Sequence, residues 1–380
     1  MCLATSSRTR RPSSKSVRSP ADKPSVNSVA RSQLALRVLA NSWHPAARAT
    51  DLSADELRDV APLLLGSGSG ALAWCKIRHS QLQSSPVAFQ FQQAYRHHTL
   101  EAARHERDIQ TILALLRSRG IEPILIKGWS IARLYPEKGM RPYDDTDLVI
   151  RRDQYSIAQT IVQQQRSTEF TVDLHNGLEE YGDDSEVDFF TRSRLVKLGE
   201  AGIRVPSPED SLRLLCLHFL RHGAFRPLWL CDVAVAVESR PADFDWDRCF
   251  GRKKRVADWI ACTIGLAHKL LGARVDDTPV KRRAESLPSW LIPVVLKQWE
   301  KPFARDHGVA RHRASMATYV RRPLSALGDI RTRWPNAIEA TVHVGAPFNE
   351  LPRLPFQIGE CVSRAVKFVA RFPEALRDVG

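Results

Sequence analysis

The stretch from Ile121 to Ile150, IEPILIKGWSIARLYPEKGMRPYDDTDLVI, sets the tightest limit on what this chain can become. It ends in two carboxylates one residue apart, Asp145 and Asp147, followed directly by the apolar run Leu148-Val149-Ile150. Side chains i and i+2 of a strand leave the same face, so both acids project together. Like charges held that close repel, and a cation between them removes the penalty. Mg²⁺ suits such a pair, because it takes one or two protein carboxylates and completes its octahedron with water and substrate phosphates. The other reading of the same residues is an acidic turn or hairpin, which the neighbouring Asp144 favours. Upstream, Ile124-Leu125-Ile126 reads as a short buried strand that leaves through Lys127 and Gly128 into a helix from Ser130 to Tyr135.

Around this stretch the pattern is mostly helical. Leu34, Leu36, Val38 and Leu39 form one amphipathic segment after Gln33, and Ser53 before Ala54-Asp55-Glu56 has the form of a helix cap. A long helical segment runs from Pro86 to Arg119 and is closed by Gly120. After Ile150 the sequence predicts a helix over Gln154 to Gln165, a strand over Glu169 to His175 and a further strand over Glu186 to Phe190. Ser207-Pro208-Glu209-Asp210 starts another helix, and six prolines from Pro302 to Pro355 predict short or irregular helices in the last eighty residues. Gly66-Ser67-Gly68-Ser69-Gly70 lacks the Lys-Ser/Thr ending of a phosphate-binding P-loop and follows a helix, so it reads as a plain loop. The organisation expected is a disordered basic tail over 1–32, a helical region over 33–120, an α/β core over 121–200 and a helical region over 201–380.

Composition narrows the class. The 380 residues carry a formal net charge of +14, of which seven basic residues against one acid fall in the first 31. Basic surface favours polyanions, yet no compact run of Lys and Arg interleaved with aromatics marks a nucleic-acid groove. No apolar run approaches the roughly 18 residues that cross a bilayer. The seven cysteines are scattered with no CxxC pair, so neither a disulfide framework nor a zinc site is expected, and the chain reads as soluble and cytoplasmic, with no membrane partner. Arg10-Arg11 is followed by no apolar segment, which excludes a twin-arginine signal reading.

The order of motifs resembles the uncharacterised nucleotidyltransferase family of the DNA polymerase beta superfamily. The resemblance is carried by the strand ending in Lys127-Gly128, Leu134-Tyr135-Pro136, Arg141-Pro142 and Asp145-Thr146-Asp147. It continues through Val172-Asp173-Leu174-His175, Leu214 to His218 with Arg221-His222-Gly223, and Trp229-Leu230-Cys231-Asp232, covering about Leu100 to Trp246. It implies an α+β fold, a small mixed sheet forming a polymerase-beta-like nucleotidyltransferase core embedded in a largely helical chain. The implied activity moves a nucleoside monophosphate from a nucleoside triphosphate such as ATP to an unidentified acceptor, a small molecule, peptide or protein, with Mg²⁺ or Mn²⁺. Asp145 and Asp147 are then the shared metal ligands and Asp173 the third carboxylate, as base or ligand, with Asp188 an alternative for that role. Lys127 and Arg141 are expected phosphate contacts, with Gly128 and Ser130 beside them. The turn departs from the superfamily's usual Gly-Ser, which puts the serine contact at Ser130 in question. His175 is expected as a partner of the acids or an acceptor-binding group. His218 and His222 lack the glutamate of an HExxH zinc site and are expected to line the site or the core, and Asp232 to pack or cap a helix. The rival classes are a non-catalytic nucleotide- or peptide-binding accessory protein and a basic nucleic-acid-binding factor.

Overall fold

The computed structural model of the chain describes residues 30–45, 50–164, 171–177, 186–301 and 334–370. It opens with α1 (Arg31–Leu39), α2 (Ala54–Gly66) and α3 (Gly70–Ile77). Helix α1 begins two residues before the expected Gln33, and its Ser32 is buried with the backbone N–H donating to Glu300 Oε1 at 2.6 Å. Most of the tail expected over 1–32 lies outside the described residues. The Ser53 cap forms as read: its Oγ accepts from the Glu56 N–H at 3.2 Å, and the Glu56 carboxylate accepts from the Ser53 N–H at 2.8 Å. Two otherwise unpaired donors are thereby satisfied.

The 30-residue helix α4 (Ala88–Arg117) is closed by Gly120 at φ +73° and leads into β1 (Ile124–Ile126) and the short α5 (Gly128–Ala132). Helix α5 stops before the expected Tyr135. Pro136 disfavours helical geometry at the residue before it, and the Tyr135 hydroxyl is held instead by Asp232 at 2.9 Å. Then come β2 (Asp145–Ile150), α6 (Tyr155–Gln164) and β3 (Thr171–Asn176). Strand β2 is central, antiparallel to β1 and parallel to β3, so the sheet is small and mixed.

The period of two sorts this sheet into two faces. Leu125, Leu148 and Ile150 point to one face, where they pack with Ile109, Leu113 and Leu116 of α4 and Ala158 of α6. All three are at or below 1% exposure, and each contributes roughly 1.5–3 kcal/mol by burial. Ile124, Ile126 and Val149 point to the other face, against Phe189, Phe190 and Leu214. By alternation Asp145 and Asp147 share the face of Val149, at the end where β2 begins.

The strand expected over Glu186 to Phe190 is instead helix α7 (Glu186–Arg192). Phe189 and Phe190 are both buried, which an alternating strand would not allow on one face but a helical stripe does. A hairpin of β4 (Arg194–Leu198) and β5 (Ala201–Val205) follows, turned by Gly199 at φ +59°. Residue 200, the expected end of the α/β core, falls in that turn, and Leu198, Ile203 and Val205 join the apolar cluster under β2.

Helices α8 (Pro208–Arg221), α9 (Pro227–Glu238), α10 (Trp246–Phe250), α11 (Lys254–Leu271), α12 (Lys281–Glu285) and α13 (Leu291–Trp299) build the largest apolar cluster together with α1 to α3. Ser207 caps α8 as expected, its Oγ accepting from the Asp210 N–H at 3.2 Å. Two further helices, α14 (Ala337–His343) and α15 (Leu354–Ala370), follow. Helix α15 runs 17 residues despite the prolines, because Pro355 sits in its first turn, where the missing N–H costs nothing. No helix among the described residues is long and apolar enough to cross a membrane.

Candidate active site

Parallel pairing sets Asp147 directly opposite Asp173, with Asp145 opposite Thr171 and Val149 opposite His175. Val172 and Leu174 pack into the α4 side of the sheet, so Asp173 and His175 share the opposite face with the β2 acids. Ligand atoms of Asp147, Asp173 and His175 lie within 4.8 Å of one another. His175 Nε2 stands 2.8 Å from Asp147 Oδ1 and 3.8 Å from Asp173 Oδ2. The Asp147 side chain is 5% exposed and that of Asp173 63%, so one acid forms the floor of the group and the other its open rim. Asp188, the alternative third carboxylate, is exposed on α7 and lies outside this group. Asp145 also falls outside it, although it was expected as a shared ligand.

The two β2 acids separate electrostatically. Asp145 opens to solvent at the start of the strand, yet the protein around it pushes its carboxyl up to about 6, with the charges of Asp147 and Asp144 adding to the burial and Arg141 and Lys127 opposing it. For Asp147 burial also works against ionisation, but the His175 hydrogen bond and the Lys127 charge outweigh it and hold the carboxyl below its usual range. Asp147 therefore keeps its negative charge, and Asp145 is the acid that takes up a proton as the pH falls.

Lys127 reaches Asp147 because Ile126 is the register partner of Asp147; its Nζ donates to Oδ1 at 3.1 Å. Its backbone stands at φ +49°, ψ −142°, a conformation that costs of order 1–3 kcal/mol for a residue with a Cβ and persists only where the surroundings fix it. Gly128 follows at φ +34°, and a Cβ there would come 3.3 Å from the Asp145 carbonyl oxygen. The close neighbour this glycine admits is thus the backbone of β2. Ser130 is buried within α5, and no hydrogen bond among the described residues links it to the acids.

Arg141 is placed differently from a phosphate contact. Its Nη2 donates to Asp232 Oδ2 at 2.8 Å and its Nε to both carboxylate oxygens at 3.2 and 3.3 Å, with Arg141 8% and Asp232 0% exposed. The buried fork ties the segment before β2 to α9, and Tyr135 donates to the same carboxylate. Asp232 packs its helix, as expected, and does so through an ion pair 91 residues away in sequence. The His218 ring lies tilted to that of His222 at 4.5 Å and meets Trp229 edge-on at 4.4 Å, between ring centroids. Burial, then His222, Lys127, Arg141 and Arg226, hold His218 well below its usual pKa, which keeps it neutral at pH 7. Arg226, which the sequence did not single out, precedes α9; its Nε donates to the Ser67 carbonyl at 2.8 Å, and its guanidinium shares the space beside Gly68 with Pro142.

Two carboxylates and an imidazole around one point, with a lysine behind them, form a donor set able to hold a divalent cation beside a phosphate. No curated protein and no solved structure matches the chain. Residues 67–165 and 158–272 match the family described as uncharacterised nucleotidyltransferase, which takes in every strand among the described residues and more than half of the 380 residues. The chain belongs to the uncharacterised nucleotidyltransferase family.

Proposed function

We propose that the protein transfers a nucleoside monophosphate from a nucleoside triphosphate, such as ATP, to an oxygen of a small-molecule, peptide or protein acceptor. The observation that carries this reading is the pairing of Asp147 with Asp173 across β2 and β3, with His175 on both. The acceptor oxygen attacks the α-phosphorus, its proton leaves with a base, and pyrophosphate departs. Asp173, open to solvent and 3.8 Å from His175, is the candidate base.

The donor chemistry fits a divalent ion. Asp147 and Asp173 would hold Mg²⁺, His175 makes Mn²⁺ acceptable as well, and Asp145 beside them would complete the acidic set. Such an ion neutralises charge on the phosphate oxygens and lowers the pKa of an attacking oxygen. His175 orients the Asp147 carboxylate, Lys127 supplies the nearest positive charge, and the Lys127-Gly128 turn fixes the start of β2. Arg141, already matched by Asp232, serves the site by anchoring the segment that leads into β2. The free thiols of the six described cysteines accord with a cytoplasmic setting.

The test is a panel of ribonucleoside and deoxyribonucleoside triphosphates with purified protein, read as equilibrium binding with and without Mg²⁺ and as pyrophosphate release with candidate acceptors. Metal-dependent binding of a triphosphate that Asp147→Asn abolishes supports the reading. Wild-type protein that binds no triphosphate under either condition removes it, and binding without release for any acceptor leaves the non-catalytic accessory role in its place.

A further inference from the structure

Lys127 and Arg141 flank the approach to β2, and Arg226 lies near the same segment, because the space beside Gly68 faces both its Nη2 and Pro142. Two of them are already paired, Lys127 with Asp147 at 3.1 Å and Arg141 in its fork with Asp232. Arg226 is not: no carboxylate among the described residues forms a salt bridge with it. It is nonetheless held from several sides. Its Nε donates to the Ser67 carbonyl, its guanidinium carbon lies 5.7 Å from the Trp229 ring centre, and its Nη2 sits 2.7 Å from where a Cβ on Gly68 would stand.

The Gly66 to Gly70 turn, read from sequence as a plain loop, therefore acts as a rest for this side chain. Gly68, at φ +79°, leaves the space the guanidinium fills, and the same position faces Pro142 at 3.3 Å, next to the segment that leads into β2. Burial works against the Arg226 charge, with Arg141 adding to the penalty and Asp144, Asp232 and Asp145 only offsetting it. A guanidinium fixed in place and short of a counterion is prepared for an anion.

We propose that Arg226, seated on Ser67 and Gly68, binds the polyphosphate tail of the nucleotide. This rests on reading the site as a nucleotidyltransferase centre, and it assigns to Arg226 the phosphate contact expected of Arg141. A planar fork of donors matches phosphate oxygens. Binding there also requires no existing ion pair to break, whereas opening the Arg141–Asp232 pair would leave a buried charge uncompensated.

Inorganic tripolyphosphate is the probe, titrated calorimetrically into metal-free protein. Arg226→Gln should weaken it by about 10- to 100-fold, the range for a lost charge-assisted bond, in protein that still melts cooperatively. Arg226→Lys should fall between the two, since it keeps the charge and loses the fork. In the wild type, phenylglyoxal labelling mapped by mass spectrometry should modify Arg226 and be blocked by tripolyphosphate, an arm that does not depend on any variant folding. Wild-type affinity in folded Arg226→Gln, or labelling of Arg226 that tripolyphosphate leaves unchanged, overturns the proposal. Unaltered Mg²⁺-nucleotide binding in Arg226→Gln would refute the seat alone and leave nucleotidyl transfer standing. Arg226-dependent tripolyphosphate binding in a protein that binds no nucleotide would do the reverse.

Discussion

Asp145 and Asp147 are separated by one residue on one strand face, yet they carry different burdens. A carboxyl whose folded pKa exceeds its unfolded value binds more protons folded than unfolded between those two values, so stability falls as the pH rises through that window. For Asp145 the window runs from its ordinary 3.8 to about 6. Asp145→Asn should therefore raise metal-free stability above pH 6 by about 1 kcal/mol, after allowance for its solvent-facing side. The gain should shrink to nothing near pH 4, as urea unfolding at several pH values would show; a gain independent of pH would assign it to something other than charge. Asp232 carries the opposite expectation. Its charge is buried against Arg141 and Tyr135, so Asp232→Ala should cost about 3–5 kcal/mol by leaving a guanidinium unmatched. Denaturant unfolding that moves by less than about 1 kcal/mol would show that the pair is relaxed by water.

At the scale of elements, the legible parts were those written in local period. Ile124 to Ile126 and Asp145 to Ile150 announce themselves by apolar runs, and the caps at Ser53 and Ser207 by their acids three residues on. Glu186 to Phe190 misled because its alternation ends in two adjacent phenylalanines, and burial of both selects a helix. The register that sets Asp173, and not Asp188, against Asp147 depends on which strands pair, information no local window holds. The same is true of Arg141 with Asp232 and of Arg226 with Gly68, contacts that span long sequence distances. Phe189→Ala should cost about 3–5 kcal/mol, read by the same unfolding measurement, because its ring lies at 1% exposure between the sheet and α8. Gly128→Ala should cost about 1–3 kcal/mol, since a Cβ at φ +34° presses on the Asp145 carbonyl. A neutral result at position 128 would mean that the turn can shift without moving β2.

In the whole molecule, a small mixed sheet is held between α4 and α6 on one face and α7 and α8 on the other, and the remaining helices supply most of the apolar core. The acids stand at the end of the sheet where β2 begins, fixed from β1 by Lys127, from β3 by His175 and from α9 through Arg141. Charge of both signs thus meets at one place although the chain as a whole is strongly basic, at +14. In the proposed reaction this meeting point holds a divalent cation on Asp147 and Asp173. Electron paramagnetic resonance of free Mn²⁺, titrated with metal-free wild type, Asp147→Asn, Asp173→Asn and Asp188→Asn, tests it most directly. The wild type should bind, the Asp147 and Asp173 variants should bind at least about tenfold more weakly, and Asp188→Asn should bind as the wild type does. Equal Mn²⁺ affinity in the wild type and Asp147→Asn would contradict it.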